Sequence, residues 1–143
     1  MNTEQLGAAT DIITSKLPIP PAVGTILFDS GATHSFISRD FVLKHGLVHA
    51  PLEKAIWVNS LGGLLKVEKI CKDQPIIIQN INFLANLLVI DMTGLEVILG
   101  MDWLHEHGVL LDCEQKCASI GRSDGSRIFY FGVRLDRLTQ IRL

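Results

Sequence analysis

Residues 26–38 read Ile-Leu-Phe-Asp-Ser-Gly-Ala-Thr-His-Ser-Phe-Ile-Ser and set one carboxylate, Asp29, between an apolar run and a tight Ser-Gly turn. A carboxyl group gives or takes a proton, so the chemistry within reach is acid–base catalysis. The place is a costly one, because an ionised carboxylate at the end of a buried strand costs roughly several kcal/mol unless it is paired or hydrogen-bonded. Asp29 therefore has partners or a task, and Asp-Ser-Gly alone leaves open a strand end that merely caps its turn. A second constellation, Cys113-x-x-x-Cys117 with His105 and His107 upstream, holds the residue types of a zinc site. Its spacing matches no common zinc pattern and the two cysteines flank Glu-Gln-Lys as facing positions of a hairpin, so they read as ordinary buried thiols and no metal or other cofactor is expected.

The elements that must hold Asp29 belong to a chain of 143 residues, enough for one core and too few for two substantial lobes. With 48% apolar residues, 20% charged residues and a net charge of −2, the composition is that of an ordinary globular domain and gives no reason to expect a nucleic-acid partner. The longest apolar stretch, 83–90, is broken by Asn86 and ends at Asp91, well short of the roughly 20 residues that span a bilayer. Residues 1–11 lack the basic start and apolar centre of a signal peptide, and three cysteines form no disulfide framework. A cytoplasmic protein with no membrane partner is expected.

Short apolar runs divided by turn residues predict a mostly β fold. Strands are expected over 12–17 and 25–29, with an extended connection forced by Pro18, Pro20 and Pro21. Residues 38–45 read as a short helix: Ser38 can cap it, Phe41 and Val42 can face the core, and Gly46 can take the left-handed position that ends it. Strands 55–58 and 64–70 flank Asn59-Ser60-Leu61-Gly62-Gly63, a hairpin tip whose glycines suit positive φ. Such a hairpin is either a plain surface turn or a mobile lid. A further strand pair is expected over 75–81 and 83–91, a very short strand over 97–99, a helical turn over 101–107, and strands over 109–113, 117–120 and 127–133.

The short strand opens Val97-Ile98-Leu99-Gly100-Met101-Asp102-Trp103-Leu104, about 60 residues after Phe28-Asp29-Ser30-Gly31-Ala32-Thr33-His34-Ser35-Phe36-Ile37. These two strings, in this order, closely resemble the retropepsin-like aspartic proteases, and their wording resembles the protease domain of gypsy-type LTR-retrotransposon polyproteins, especially those of plants. The resemblance covers 25–120 as the protease domain, with 1–24 an N-terminal extension or dimer strand and 121–143 a C-terminal strand and linker. It implies an all-β, closed acid-protease barrel with one or two short helices, in which the Asp29 loop (Ser30, Gly31, Ala32, Thr33) and the supporting strand (Ile98, Leu99, Gly100) pack beneath a flap hairpin with Leu61, Gly62 and Gly63 at its tip. Small residues suit that arrangement, since Gly100 would leave room where the strand passes the loop.

The resemblance also implies an aspartic endopeptidase with Asp29 as its catalytic residue and no metal. Hydrolysis by this route needs two carboxylates sharing a proton around a water, one as base and one as acid. The chain supplies one Asp-Ser-Gly, so the second carboxylate is expected from a second copy, in a homodimer with its site on the two-fold axis. The expected substrate is an extended peptide or polyprotein, and retrotransposon particles are a second expected location. A non-catalytic dimerising or peptide-binding descendant, or a host retropepsin-like protease, fits the same strings. Asp102 is expected to orient its helix, Trp103 and Leu104 to fill the core, and Trp57 either to lie under the flap or to join the core.

Overall fold

In the computed structural model, strand β1 (Ile12–Ile19) turns at Pro20-Pro21 into β2 (Ala22–Asp29), and the two pair antiparallel from Ile12↔Asp29 to Ile19↔Ala22. The structure describes residues 12–60, 63–112, 114–122, 124–131 and 133–134. The prolines thus close a tight turn instead of an extended connection, and both strands are longer than their apolar runs. Pro18 sits in β1 opposite Val23, and its missing amide donor is tolerated because β11 (Val133–Arg134) covers the other edge of β1 only at Ile13 and Thr14.

Beyond the Asp29 loop come β3 (Phe36–Ser38) and helix α1 (Arg39–His45). The local signals for α1 act as expected: Ser38 Oγ accepts the Phe41 amide, Gly46 takes φ 62°, and Phe41 and Val42 are buried. Strands β4 (Ala50–Ser60) and β5 (Gly63–Ile78) form the long hairpin, and β6 (Ile81–Ile90) follows a tight turn in which Gln79 and Asn80 have positive φ. Strand β5 is continuous where two strands, 64–70 and 75–81, were expected. It bulges between Cys71 and Gln74, and Pro75 fits because β4 pairs with β5 only as far as Ile70, leaving Pro75 on an open edge.

The short strand β7 (Val97–Leu99) leads into α2 (Met101–Glu106), and β8 (Val109–Asp112), β9 (Cys117–Gly121) and β10 (Arg127–Phe131) make a separate three-stranded antiparallel sheet. The other eight strands form one sheet in the order β11-β1-β2-β7-β3-β6-β5-β4. The closed barrel expected from sequence is not formed among the described residues: β11 and β4 are the two edges of this sheet and do not pair with each other. Closure would need a ladder between them. Instead the sheet bends so that the turn after β1 meets β5, where Gln74 Nε2 donates to Pro20 O at 3.1 Å.

Strand alternation divides the interior in two. Ile26, Phe28, Ile37, Val97 and Leu99 point into a large core with Trp103, Leu104, Ile120 and Ile128, so the small sheet and α2 cover that face. Leu27, Phe36, Leu88, Ile90 and Ile98 point the other way, with Ala32, into a smaller cluster that continues up the long hairpin through Val67. Each buried Ile, Leu or Phe contributes about 1.5–3 kcal/mol, so a one-residue slip in β7 would exchange the two faces at the cost of several such terms.

Candidate active site

Strand β7 lies between the two strands that flank the Asp29 loop. It runs parallel to β2 (Ile26↔Val97, Leu27↔Ile98, Phe28↔Leu99) and antiparallel to β3 (Phe36↔Ile98, Ile37↔Val97). Residues 29–35 therefore arch over the end of β7, and Gly100 meets the underside of the arch. A Cβ at Gly100 would stand 2.3 Å from His34 O and 2.7 Å from Ala32 O, so no side chain fits there. The expected grouping of Asp29, Ser30, Gly31, Ala32 and Thr33 with Ile98, Leu99 and Gly100 is present.

Asp29 and Ser30 are half-buried, Gly31 and Thr33 are exposed, and Ala32 is buried. The Gly31 amide donates to Asp29 Oδ1 at 2.8 Å, and the Ala32 amide donates to the Asp29 carbonyl at 3.2 Å. The amide bond to Oδ1 holds the orientation of the carboxyl group. The Asp29 carboxyl group is thus aimed by its own loop, as a turn-capping Asp would be.

The loop is in turn tied to the segment after β7. Met101 N–H donates to Ala32 O at 2.7 Å, and Gly100 N–H donates to Ser35 Oγ at 3.0 Å. The Ser35 hydroxyl donates to Asp102 Oδ1 at 2.6 Å, which also accepts the Trp103 amide at 2.7 Å. Ser35 is 1% exposed, and its carbonyl accepts the Leu88 amide at 2.9 Å. Asp102 orients the first turn of α2 as expected, and Ser35, to which the sequence assigns no role, is its partner. A buried hydroxyl needs a partner, and that rule was the available signal.

Over the loop stands the hairpin of β4 and β5. Its register is Ile56↔Val67, Trp57↔Lys66, Val58↔Leu65 and Ser60↔Gly63, with Ile56, Val58, Leu65 and Val67 packed on the smaller cluster. Trp57 is not in the core: it lies on the hairpin, 59% exposed, on the cleft side, with Lys66 Nζ 5.9 Å from its ring centre. Gly63 takes φ +114° at the tip, while Leu61 and Gly62 lie outside the described residues. Between hairpin and loop is a cleft of about 310 Å³, with Gly31–His34 and Phe36 on one side and Trp57–Asn59 on the other. A larger groove, about 620 Å³, lies beside α1 with Lys16, Lys44, Asp40 and Glu96 on its walls; no residue of 29–35 lines it.

A sequence profile of the retroviral aspartyl protease family matches residues 1–126. The chain belongs to that family. Among solved structures, this retroviral aspartyl protease family member is similar to the retroviral protease-like domain of Ddi1 from Leishmania major, at 18% identity and a TM-score of 0.55 over 83% of this chain and 92% of that one. No curated protein sequence matches it. The fold is therefore retropepsin-like and mostly β, with the described strands in open sheets. Among the described residues no helix is long and apolar enough to cross a membrane, and no three His, Cys, Asp or Glu side chains gather as a metal site would require. Cys117 is buried and Cys113 lies outside the described residues.

Proposed function

We propose that this domain is an aspartic endopeptidase that cleaves an extended segment of a retrotransposon polyprotein, with Asp29 of each of two copies forming the catalytic dyad. The observation that carries the proposal is Asp29 itself: a carboxylate aimed by the Gly31 amide at 2.8 Å, in a loop that forms one wall of a cleft beneath a β-hairpin. One chain holds one such carboxylate, and family membership favours the two-copy arrangement over a single-chain site. An extended peptide entering the cleft would lie along β4, an edge strand whose outer main-chain groups can pair with it.

In the reaction, the ionised Asp29 takes a proton from a water as that water attacks the scissile carbonyl carbon. The protonated Asp29 of the partner subunit donates its hydrogen bond to the carbonyl oxygen, which becomes a hydroxyl of the tetrahedral intermediate. Collapse then breaks the C–N bond as the amine leaves with a proton returned by the dyad. Two carboxylates about 3 Å apart cannot both be ionised, so the dyad keeps one proton and activity is bell-shaped in pH, with both limbs belonging to the pair.

The test compares wild type with Asp29→Asn on unfolded protein substrates and on the domain fused to its own flanking sequence, across mildly acidic pH, with sedimentation equilibrium on both proteins. Cleavage by the wild type that disappears in a dimeric Asp29→Asn supports the proposal; a cleaving Asp29→Asn, or a monomer that cleaves, overturns it. A dimer that binds peptides and cleaves none would make the domain a binding module. The likeness to the Leishmania major Ddi1 domain favours a second reading, a host protease on other substrates, which cleavage of host-type but not polyprotein junctions would support.

A further inference from the structure

The Ser35 hydroxyl has one proton and two polar neighbours whose roles are fixed by chemistry. Gly100 N–H can only donate, so Oγ accepts from it at 3.0 Å and sends its own proton to Asp102 Oδ1 at 2.6 Å. Asp102 is held from behind by the Trp103 amide at 2.7 Å, and Trp103 is wedged against Phe28 and Phe83 with ring centres 6.0 and 6.2 Å away. A directed chain thus runs from the packed core through Asp102 and Ser35 to the arch that carries Asp29. The second tie, Met101 N–H to Ala32 O, springs from the same turn of α2.

We propose that Ser35 and Asp102 are positioning residues that set the separation of the two Asp29 carboxylates in the dimer. The inference rests on the dyad reading given above. Without the hydroxyl, the Gly100 amide and Asp102 Oδ1 each lose a partner, while the Met101–Ala32 bond to the turn of α2 is kept. Two-fold symmetry repeats any shift of the arch in the partner, so the carboxylates separate by the sum of both shifts. Repulsion between like charges falls with distance, and with it falls the gap between the two proton dissociations of the pair.

The width of the pH–rate bell therefore reads the separation directly. Of the other titratable groups around the cleft among the described residues, His34 is on the arch and Lys66 on β5, and both are common to all variants; Asp102→Asn removes the Asp102 charge while keeping an oxygen that accepts from Ser35 and Trp103. The experiment measures kcat and KM against pH for wild type, Ser35→Ala, Asp102→Ala and Asp102→Asn, with Asp29→Asn as control. Ser35→Ala and Asp102→Ala are expected to lower kcat by about tenfold to a hundredfold with little change in KM, and to bring the limbs together by about half a pH unit. Asp102→Asn is expected to restore the wild-type width. A bell of unchanged width and reduced height in both alanine variants would overturn the inference, and so would loss of the folded dimer in both, since Asp102 is exposed and its truncation leaves no cavity. Cleavage retained in Asp29→Asn would instead remove the dyad reading and this inference with it.

Discussion

The two walls of the cleft are built on opposite plans. On one side, residues 29–35 lie over β7, braced within by the Gly31 amide and tied down through Ala32 and Ser35, with Gly100 filling the space beneath so closely that a methyl group would overlap two carbonyls. On the other, the hairpin tip ends a ladder in which β4 pairs with β5 alone, Trp57 and Leu64 are exposed at 59% and 66%, and Gly63 has open space where a Cβ would go. The contrast suits the two tasks that the proposed reaction sets. A group that exchanges protons gains from preorganisation, because its hydrogen bonds need no rearrangement when charge moves. A cover that must admit a chain and then close over it gains from low local stability.

Replacing the two glycines is the most forceful way to break this comparison. Gly100→Ala should destabilise the protein by about 3 kcal/mol or more, because the new methyl would lie 2.3 Å from His34 O and backbone cannot swing aside as a side chain can. A urea midpoint close to wild type would show that the arch yields. Gly63→Ala meets no atom and should cost about 1 kcal/mol, from φ +114° alone. If the two costs were equal, the rigid and yielding walls would not differ in the way described.

These glycines also mark what the sequence could reveal. Asp-Ser-Gly and Ile-Leu-Gly are local strings whose residue types follow from close backbone approach, and Gly100 beneath residues 32–34 is where that logic placed it. Helix α1 was equally legible, since Ser38 and Gly46 act within a few residues of where they stand. Closure of the sheet was not, because it depends on whether two edges far apart in sequence meet. Residues 64–70 and 75–81 read as two strands because nothing local shows that β4 stops pairing at Ile70 and leaves the edge of β5 open for Pro75. Ser35 escaped notice for a related reason: the carboxylate that defines its role lies 67 positions away.

Strand β5 runs from the hairpin tip into the large core, and Cys71 at its middle offers a chemical probe of the packed part. Cys71 is fully buried, and burial pushes its thiol from 9.0 up to about 11. The folded state therefore holds the proton more tightly than the unfolded state. Its contribution to stability is complete below pH 9 and is lost as pH rises from 9 towards 11, by about 2 kcal/mol at the upper end. Cys71→Ser or Cys71→Ala should flatten this part of the stability–pH curve, and at neutral pH the wild-type Cys71 thiol should react with thiol reagents only as fast as the domain unfolds. Rapid modification of Cys71 in the folded protein would place the yielding region further along β5 than the hairpin tip.

The mildest perturbation is spectroscopic. Trp103 is 2% exposed in the core and Trp57 is 59% exposed on the hairpin, so the two tryptophans report on the two walls separately. Trp57→Phe should change stability by no more than about 0.5 kcal/mol, since it removes surface contact with Lys66 and little packing. It should also abolish most of the change in emission when a peptide is added, because closing the cleft would bury the indole of Trp57 and leave that of Trp103 where it is. An emission change that survives Trp57→Phe and vanishes in Trp103→Phe would locate the motion in α2, next to the arch, and would reverse the assignment of which wall moves.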